Sequence, residues 1–328
     1  MPVRSVICFG EALIDFLSEP LPDPRTQQRF VQHAGGAPAN VSVAVAQLGV
    51  PATFTGMLGA DMFGDFLLER LGAAGVSTEY VTRTTAANTA LSFVSLDANG
   101  ERRFSFYRPP AADLLFRPQH FHDACFADAA VFHACSNSLT DADIADATFE
   151  GMRRAHAAGA LVSFDMNLRA NLWPTHADPR PRIWSALQEA DLVKLSLDEL
   201  RFLAEVLGDE AAVLAELWRG RTRWLWITDG AAPLRHVTRT EQGMVAAFEV
   251  NTLNTTGAGD AFTGGMLSWL VREGVTAANL DALLEDQTRM QSALRFGAAC
   301  GALAVTRHGA FEAMPALAEV EKFLQERA

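Results

Sequence analysis

Short apolar runs alternate with longer stretches whose apolar positions recur every three or four residues, the pattern of buried strands interleaved with amphipathic helices. Ser5–Gly10 is an apolar run that ends at glycine and predicts a buried strand. Pro20–Arg29 is polar and proline-rich, a loop that leads through Phe30–His33 to Gly35-Gly36. The helix that follows buries Val41, Ala44, Val45 and Leu48 and stops at Gly49. Thr53–Leu58 predicts the next strand and Phe63–Leu71 the next helix, with Asp61 as its cap. Thr89–Leu96 and Arg103–Arg108 are β-like runs joined by Asp97-Ala98-Asn99-Gly100, a hairpin signal. The hairpin interrupts the βα alternation, so it belongs outside the main sheet.

From Ala129 the alternation is regular. Strand Ala129–Ala134 precedes helix Asp141–Ala158, and strand Ala160–Asp165 precedes Met166-Asn167-Leu168-Arg169. Strand Asp191–Leu195 feeds helix Leu197–Val206, and Arg223–Thr228 is a further strand rich in bulky residues. Glu249–Leu253 leads into Asn254-Thr255-Thr256-Gly257-Ala258-Gly259-Asp260-Ala261-Phe262. Beyond it, Phe262, Met266, Trp269 and Leu270 recur at helical spacing. Leu294–Thr306 is a helix whose Gly297, Ala298, Ala299 and Gly301 permit close packing, and Pro315–Gln325 is an amphipathic closing helix. The pattern predicts an α/β fold: a mostly parallel, right-handed βαβ sheet with helices on both faces.

Composition narrows the classes. The chain has 328 residues, 49% apolar and 20% charged, with a net charge of −12. That suits a globular protein with a sizeable core, in one large domain or two ordinary ones. Acidic balance without a basic run argues against nucleic acid and anionic membranes as partners. The two lysines, Lys194 and Lys322, leave almost all positive charge to arginine. The four cysteines have no CxxC spacing and sit in apolar runs, so reduced thiols and a cytoplasmic setting are expected. No signal peptide or membrane-spanning run is evident.

The chemistry concentrates in the Gly257-Ala258-Gly259 turn. A glycine turn at a helix N-terminus leaves backbone N–H groups pointing outward, and with the helix dipole they form an anion site. Asp260 lies in the first helical turn, where the dipole is expected to keep its carboxylate ionised. An anion cradle beside a base suits phosphoryl transfer. On local physics alone, the stretch is equally a helix start with an acidic residue complementing the dipole. Glu11 and Asp15 follow the first strand, where open α/β sheets bind ligands, and also read as ordinary loop carboxylates. Asn40 carries donor and acceptor for a sugar hydroxyl, or caps a helix. Ser196 with Glu199 is a capping box. A dinucleotide-binding dehydrogenase is excluded because the third glycine is missing and the turn lies late in the chain. A P-loop kinase is excluded because there is no GxxxxGK[ST].

The stretch from Asn254 to Asp260 resembles the C-terminal signature of the ribokinase-like (PfkB) carbohydrate kinases, and Gly35-Gly36-Ala37-Pro38-Ala39-Asn40 is similar to their N-terminal signature. The resemblance covers nearly the whole chain and implies a single ribokinase-like kinase domain over residues 1–328. A small β lid would come from segments near 12–35 and 89–110. It implies transfer of the ATP γ-phosphoryl to a primary sugar hydroxyl, with Asp260 as base and the N–H groups of Gly257, Ala258 and Gly259 as the anion hole. Asp15, Gly35, Gly36 and Asn40 would hold the sugar, with Arg108 and Arg169 near it. Methionine stands at 166 where proline is common in the family. Ser196-Leu197-Asp198-Glu199 matches an element whose glutamate organises Mg²⁺ through water. Thr228 and Gly230 would touch the nucleotide with Ser196, although Ala231-Ala232-Pro233 departs from the usual glycine continuation. Ala299 lies on a helix whose family counterpart borders the adenine. Asn254 replaces an aspartate that binds a monovalent cation, so only a weak site and weak K⁺ dependence are expected.

The Gly10–Asp15 start and the Phe106-Tyr107-Arg108 run look most like bacterial fructokinases. Ketodeoxygluconate kinase is the alternative, followed by another sugar or nucleoside kinase of the family or a non-catalytic sugar- or nucleotide-sensing homologue. The expected partners are sugar and ATP, with a homodimer through the lid.

Overall fold

The apolar runs of the sequence are the inner strands of one sheet. The structure is a computed structural model and describes residues 4–19, 27–96 and 102–327. The first half runs β1 (Ser5–Phe9), β2 (Leu13–Ser18), β3 (Phe30–Gly35), α1 (Ala37–Gln47), β4 (Ala52–Gly59), α2 (Met62–Ala73), β5 (Val81–Thr84), β6 (Leu91–Leu96), β7 (Arg102–Tyr107), α3 (Ala124–Ala127), β8 (Ala129–Cys135) and α4 (Ala142–Ala157). The second half runs β9 (Leu161–Asp165), α5 (Arg180–Glu189), β10 (Leu192–Ser196), α6 (Leu197–Leu207), α7 (Glu210–Leu217), β11 (Trp224–Thr228), β12 (Leu234–Thr238), β13 (Gln242–Val245), α8 (Ala258–Arg272), α9 (Leu280–Leu284), α10 (Gln287–Ala304) and α11 (Leu317–Gln325).

The main sheet has nine strands in the order β13-β12-β11-β10-β9-β8-β1-β4-β5. It is parallel from β11 to β5, and β12 and β13 extend one edge antiparallel. Side chains of successive residues go to opposite faces, and the core divides accordingly. Val6, Cys8, Leu192, Trp224 and Trp226 join one apolar cluster with α1, α8 and α10. Ile7, Phe9, Val193, Leu195, Leu225 and Ile227 join the other, with α4, α5 and α6. Both faces are covered, as a parallel sheet requires.

A second sheet, ordered β3-β2-β6-β7, stands apart from the first. β2 pairs antiparallel with β3 and parallel with β6, so two distant stretches of chain close it. The residues around Asp15 are thus strand, in the segment that the resemblance assigns to a β lid, and not the loop of the plainer local reading. Their pairing partners are remote, which local pattern does not register. The hairpin turn expected at Asp97-Ala98-Asn99-Gly100 lies outside the described residues. The helix expected from Leu294 begins earlier, at Gln287, because Asp286 caps it by accepting from Arg289 N. No helix among the described residues is long and apolar enough to cross a membrane.

From β1 the chain proceeds to β4 on one side, and from β8 to β9 on the other, although β1 and β8 are neighbours. Their carboxyl ends thus mark the point where strand order reverses, and a crevice opens there.

Candidate active site

Residues at the carboxyl ends of β1, β8, β9, β10 and β11 face this crevice, closed on one side by the N-termini of α1 and α8. Gly257 is the left-handed residue before α8 (φ 76°), a backbone conformation that a side chain would strain. Ala258, Gly259 and Asp260 are the first three residues of the helix. Of the three N–H groups expected to form the anion hole, that of Ala258 is turned to Thr255 O over a long 3.4 Å. A Cβ at Gly259 would sit 3.1 Å from Lys194 Nζ, a tight approach to which the lysine would have to yield.

Lys194 was missed by reading the sequence. It is 7% exposed on β10, and its ammonium lies 3.1 Å from Asp165 Oδ1 at the end of β9. Burial lowers its basicity, but Asp165, Glu199 and Asp260 more than offset this, so it is held as a cation. The signal was available: a lysine in a strand buried on both faces must be paired.

Asp260 does not behave as the dipole alone predicts. Desolvation pushes its carboxyl up to about 7, and repulsion from Asp165 adds to it, against the Asn40 hydrogen bond, Lys194 and Arg169. The residue as a whole is half-buried. Asn40 does not cap α1: that position is Gly36, and the Asn40 amide donates to Asp260 Oδ2 at 2.7 Å.

Gly36 has φ 105°, and a Cβ there would lie 2.5 Å from Glu11 O and 2.8 Å from Ala12 Cα. A Cβ at Gly35 would strike the Asp15 carboxylate. Burial raises the Asp15 carboxyl to about 6, partly countered by Ser92 and Arg169. Deeper still lies a polar cluster. Glu11 Oε1 accepts from Ala37 N (3.2 Å) and from Asn137 Nδ2 (2.8 Å), and burial raises its pKa despite Arg108 nearby. Arg108, expected to face substrate from the lid, is 1% exposed and ion-paired to Asp113 at 2.6 Å. Glu11 Oε2, Arg108 Nη1, Asp113 Oδ1 and Asn137 Oδ1 lack protein partners. Arg169 is exposed and close enough to lower both Asp15 and Asp260.

On the other side of the crevice, Glu199 Oε2 accepts from Ser196 N and its Oε1 from Leu168 N, both at 2.7 Å, while Ser196 Oγ accepts from Glu199 N. Each carboxylate oxygen keeps a second lone pair, which fits a water of a magnesium shell better than direct ligation. Among the described residues no three His, Cys, Asp or Glu side chains converge on a metal position. Thr228 ends β11 opposite Ser196, and Gly230 (φ 52°) turns the chain in open space. Ala299 departs from expectation: it has no exposed surface and packs with Leu48, Phe296, Cys300, Val320 and Phe323, so it backs the site instead of lining it. Asn254 Oδ1 accepts from Thr256 N at 2.8 Å, so the side chain builds the turn into the glycine loop.

Comparison with known proteins identifies the family. Residues 3–317 match the pfkB family carbohydrate kinases. The chain is 40% identical to probable fructokinase-4 of Arabidopsis thaliana, over 98% of this chain and 96% of that protein. The fructokinase of Xylella fastidiosa, solved with bound ATP, superposes with a TM-score of 0.95 at 56% identity, covering 99% of both chains. The fructokinase of Vibrio cholerae, solved with fructose, ADP and calcium, gives 0.85 at 30% identity over 98% of this chain and 99% of that one. These matches span nearly the whole chain at 30% identity or more, and the chain belongs to the pfkB family of carbohydrate kinases.

Proposed function

We propose that this chain transfers the γ-phosphoryl of ATP to the 6-hydroxyl of D-fructose. In the step, the sugar O–H bond breaks and its proton passes to Asp260. The freed oxygen bonds to the γ-phosphorus, and the bond from that phosphorus to the β–γ bridging oxygen breaks, its electron pair leaving with ADP. The α8 N-terminus and Lys194 lie where they hold the migrating negative charge. Asp15 and the Gly35-Gly36 backbone receive sugar hydroxyls. Glu199 would hold Mg²⁺ through water, and the ion would neutralise phosphate charge on ATP. Ser196, Thr228 and Gly230 flank the nucleotide. The four-stranded sheet acts as the lid of a single kinase domain, and its exposed Phe30, Val31 and Tyr107 are the surface on which a second copy would pair.

One observation carries the preference for an uncharged sugar. A keto-acid substrate needs an unengaged arginine for its carboxylate, and Arg108 is already neutralised by Asp113. The other arginine near the sugar end, Arg169, already faces the carboxyls of Asp15 and Asp260. The test is a steady-state screen with ATP-Mg²⁺ against fructose, ketodeoxygluconate, ribose and nucleosides. Fructose is expected to have the highest kcat/KM. A preference for the keto acid, abolished in Arg108→Ala, would overturn the reading.

A further inference from the structure

The contact between Asn40 and Asp260 joins residues on α1 and α8, which are remote in sequence. We propose that Asn40 is the positioning residue of the base: its amide holds Asp260 Oδ2, so that Oδ1 is the oxygen that takes the hydroxyl proton. This rests on the reading of Asp260 as base and adds which oxygen acts and what aims it.

Three observations support it. Among the described residues the Asn40 side chain makes no other hydrogen bond: the cap position of its helix is Gly36, and its own Oδ1 has no protein partner. That oxygen is available to a sugar hydroxyl, which would place substrate and base on one side chain. The amide orientation follows from chemistry, because the reverse would set a carbonyl against an ionised carboxylate. No further hydrogen bond reaches Asp260 Oδ1 among the described residues.

The two helices are also held rigidly enough to aim one group at another. They cross so closely that a Cβ on Gly264 would lie 2.5 Å from Ala44 Cβ. The first turn of α1 is fixed from behind, because Glu11 accepts from Ala37 N while Asn137 donates to the same oxygen. With glycine at the cap position, this buried carboxylate substitutes for a capping side chain.

The other groups facing Asp260 come from three strands. Asp165 ends β9 and repels it, Lys194 on β10 and Arg169 beyond β9 attract it, and Cys135 at the end of β8 is a neutral thiol nearby. Asn40 is the hydrogen-bond donor among these. Removing it withdraws a donor from the ionised base, so the base should be harder to deprotonate.

The experiment compares wild type, Asn40→Ala, Asn40→Asp and Asp260→Asn in single-turnover phosphorylation of fructose at saturating ATP-Mg²⁺ and sugar, across pH 5.5–9.5, with thermal melts alongside. For Asn40→Ala the acidic limb of the rate profile should move up by roughly one pH unit, with at least partial recovery at high pH. Asn40→Asp sets a second carboxylate against the base and should move the limb further. An unmoved limb with only a raised KM would overturn the inference and leave Asn40 a sugar ligand. A uniform loss at all pH values that tracks a lowered melting temperature would overturn it in favour of a structural role. If Asn40→Ala does not fold, Asn40→Asp, which is nearly the same size, decides by the same limb. Failure of the underlying reading is separate: Asp260→Asn would then keep its rate.

Discussion

Asp61 and Asp260 both stand at the start of a helix beside the carboxyl edge of the sheet, and their surroundings treat them oppositely. Asp61 accepts from the backbone N–H groups of Phe63 (3.1 Å), Gly64 (2.8 Å) and Thr89 (2.7 Å) and from the Thr89 hydroxyl (2.9 Å). Desolvation alone would raise its pKa, but together these donors hold it below the usual aspartate value. Asp260 has one side-chain donor, Asn40, while burial and Asp165 drive it up to about 7. A carboxylate whose lone pairs are saturated ties elements together. One left short of donors in a crevice remains available to take a proton, at a pKa suited to neutral pH.

The sharpest way to break this contrast is to neutralise each residue in turn. Asp260→Asn should lower the single-turnover rate by at least roughly 10², the usual scale for a positioned base, with far-UV circular dichroism unchanged. Asp61→Ala should keep its rate per folded molecule but lose about 1–2 kcal/mol of stability, as for other lost N-caps, measured by denaturant melts. Equal losses of rate in both variants would show that the number of donors does not separate structural from chemical carboxylates here.

The same contrast has a signature in pH. Asp260 has its folded pKa raised from 3.8 to about 7, so between those values the folded chain binds more protons than the unfolded one. Stability from this group is fully present below pH about 4 and is lost as pH rises through about 7. Asp61, lowered in the fold, contributes stability that is present above the unfolded value and lost as pH falls. Asp260→Asn should therefore gain on wild type in melting temperature as pH rises from 4 to 8, by a few degrees at the upper end. A difference that stays flat across that range would mean that crevice water already solvates the carboxylate fully.

How much of this was legible in the sequence follows from the range of the interactions. The glycine turn, the α8 stripe and the alternation after Ala129 are local patterns, and the main sheet was read from them. Gly35, Gly36 and Asn40 were visible as residues, but the partners that give them meaning (Asp15, Glu11, Asp260) are far away in the chain. The helix dipole could be inferred for Asp260, whereas its desolvation depends on tertiary burial and raises its pKa to about 7. Lys194 was readable in principle from its buried strand, since a charge there demands a partner. Ala299 lies in a helix correctly expected to pack closely, and that close packing is why it cannot line the nucleotide site.

The smallest effect is expected at Asn254, which by the same contrast belongs with Asp61. Its Oδ1 already serves Thr256 N at 2.8 Å, the turn-building bond that asparagine makes readily. The residue is buried, and its carbonyl dipole carries no full charge to offer a cation. Hard monovalent cations are held by oxygen ligands, and the charge of the site is a main determinant of affinity. Replacing K⁺ by a large organic cation at fixed ionic strength should therefore change kcat/KM by less than about threefold, well below the 1.4 kcal/mol that a tenfold effect represents. Asn254→Asp should increase the response to K⁺, because aspartate can keep the turn and add the charge. Strong, saturable activation of the wild type by K⁺ would show that backbone carbonyls alone complete a cation site. An oxygen already engaged in a turn would then no longer mark a residue as structural.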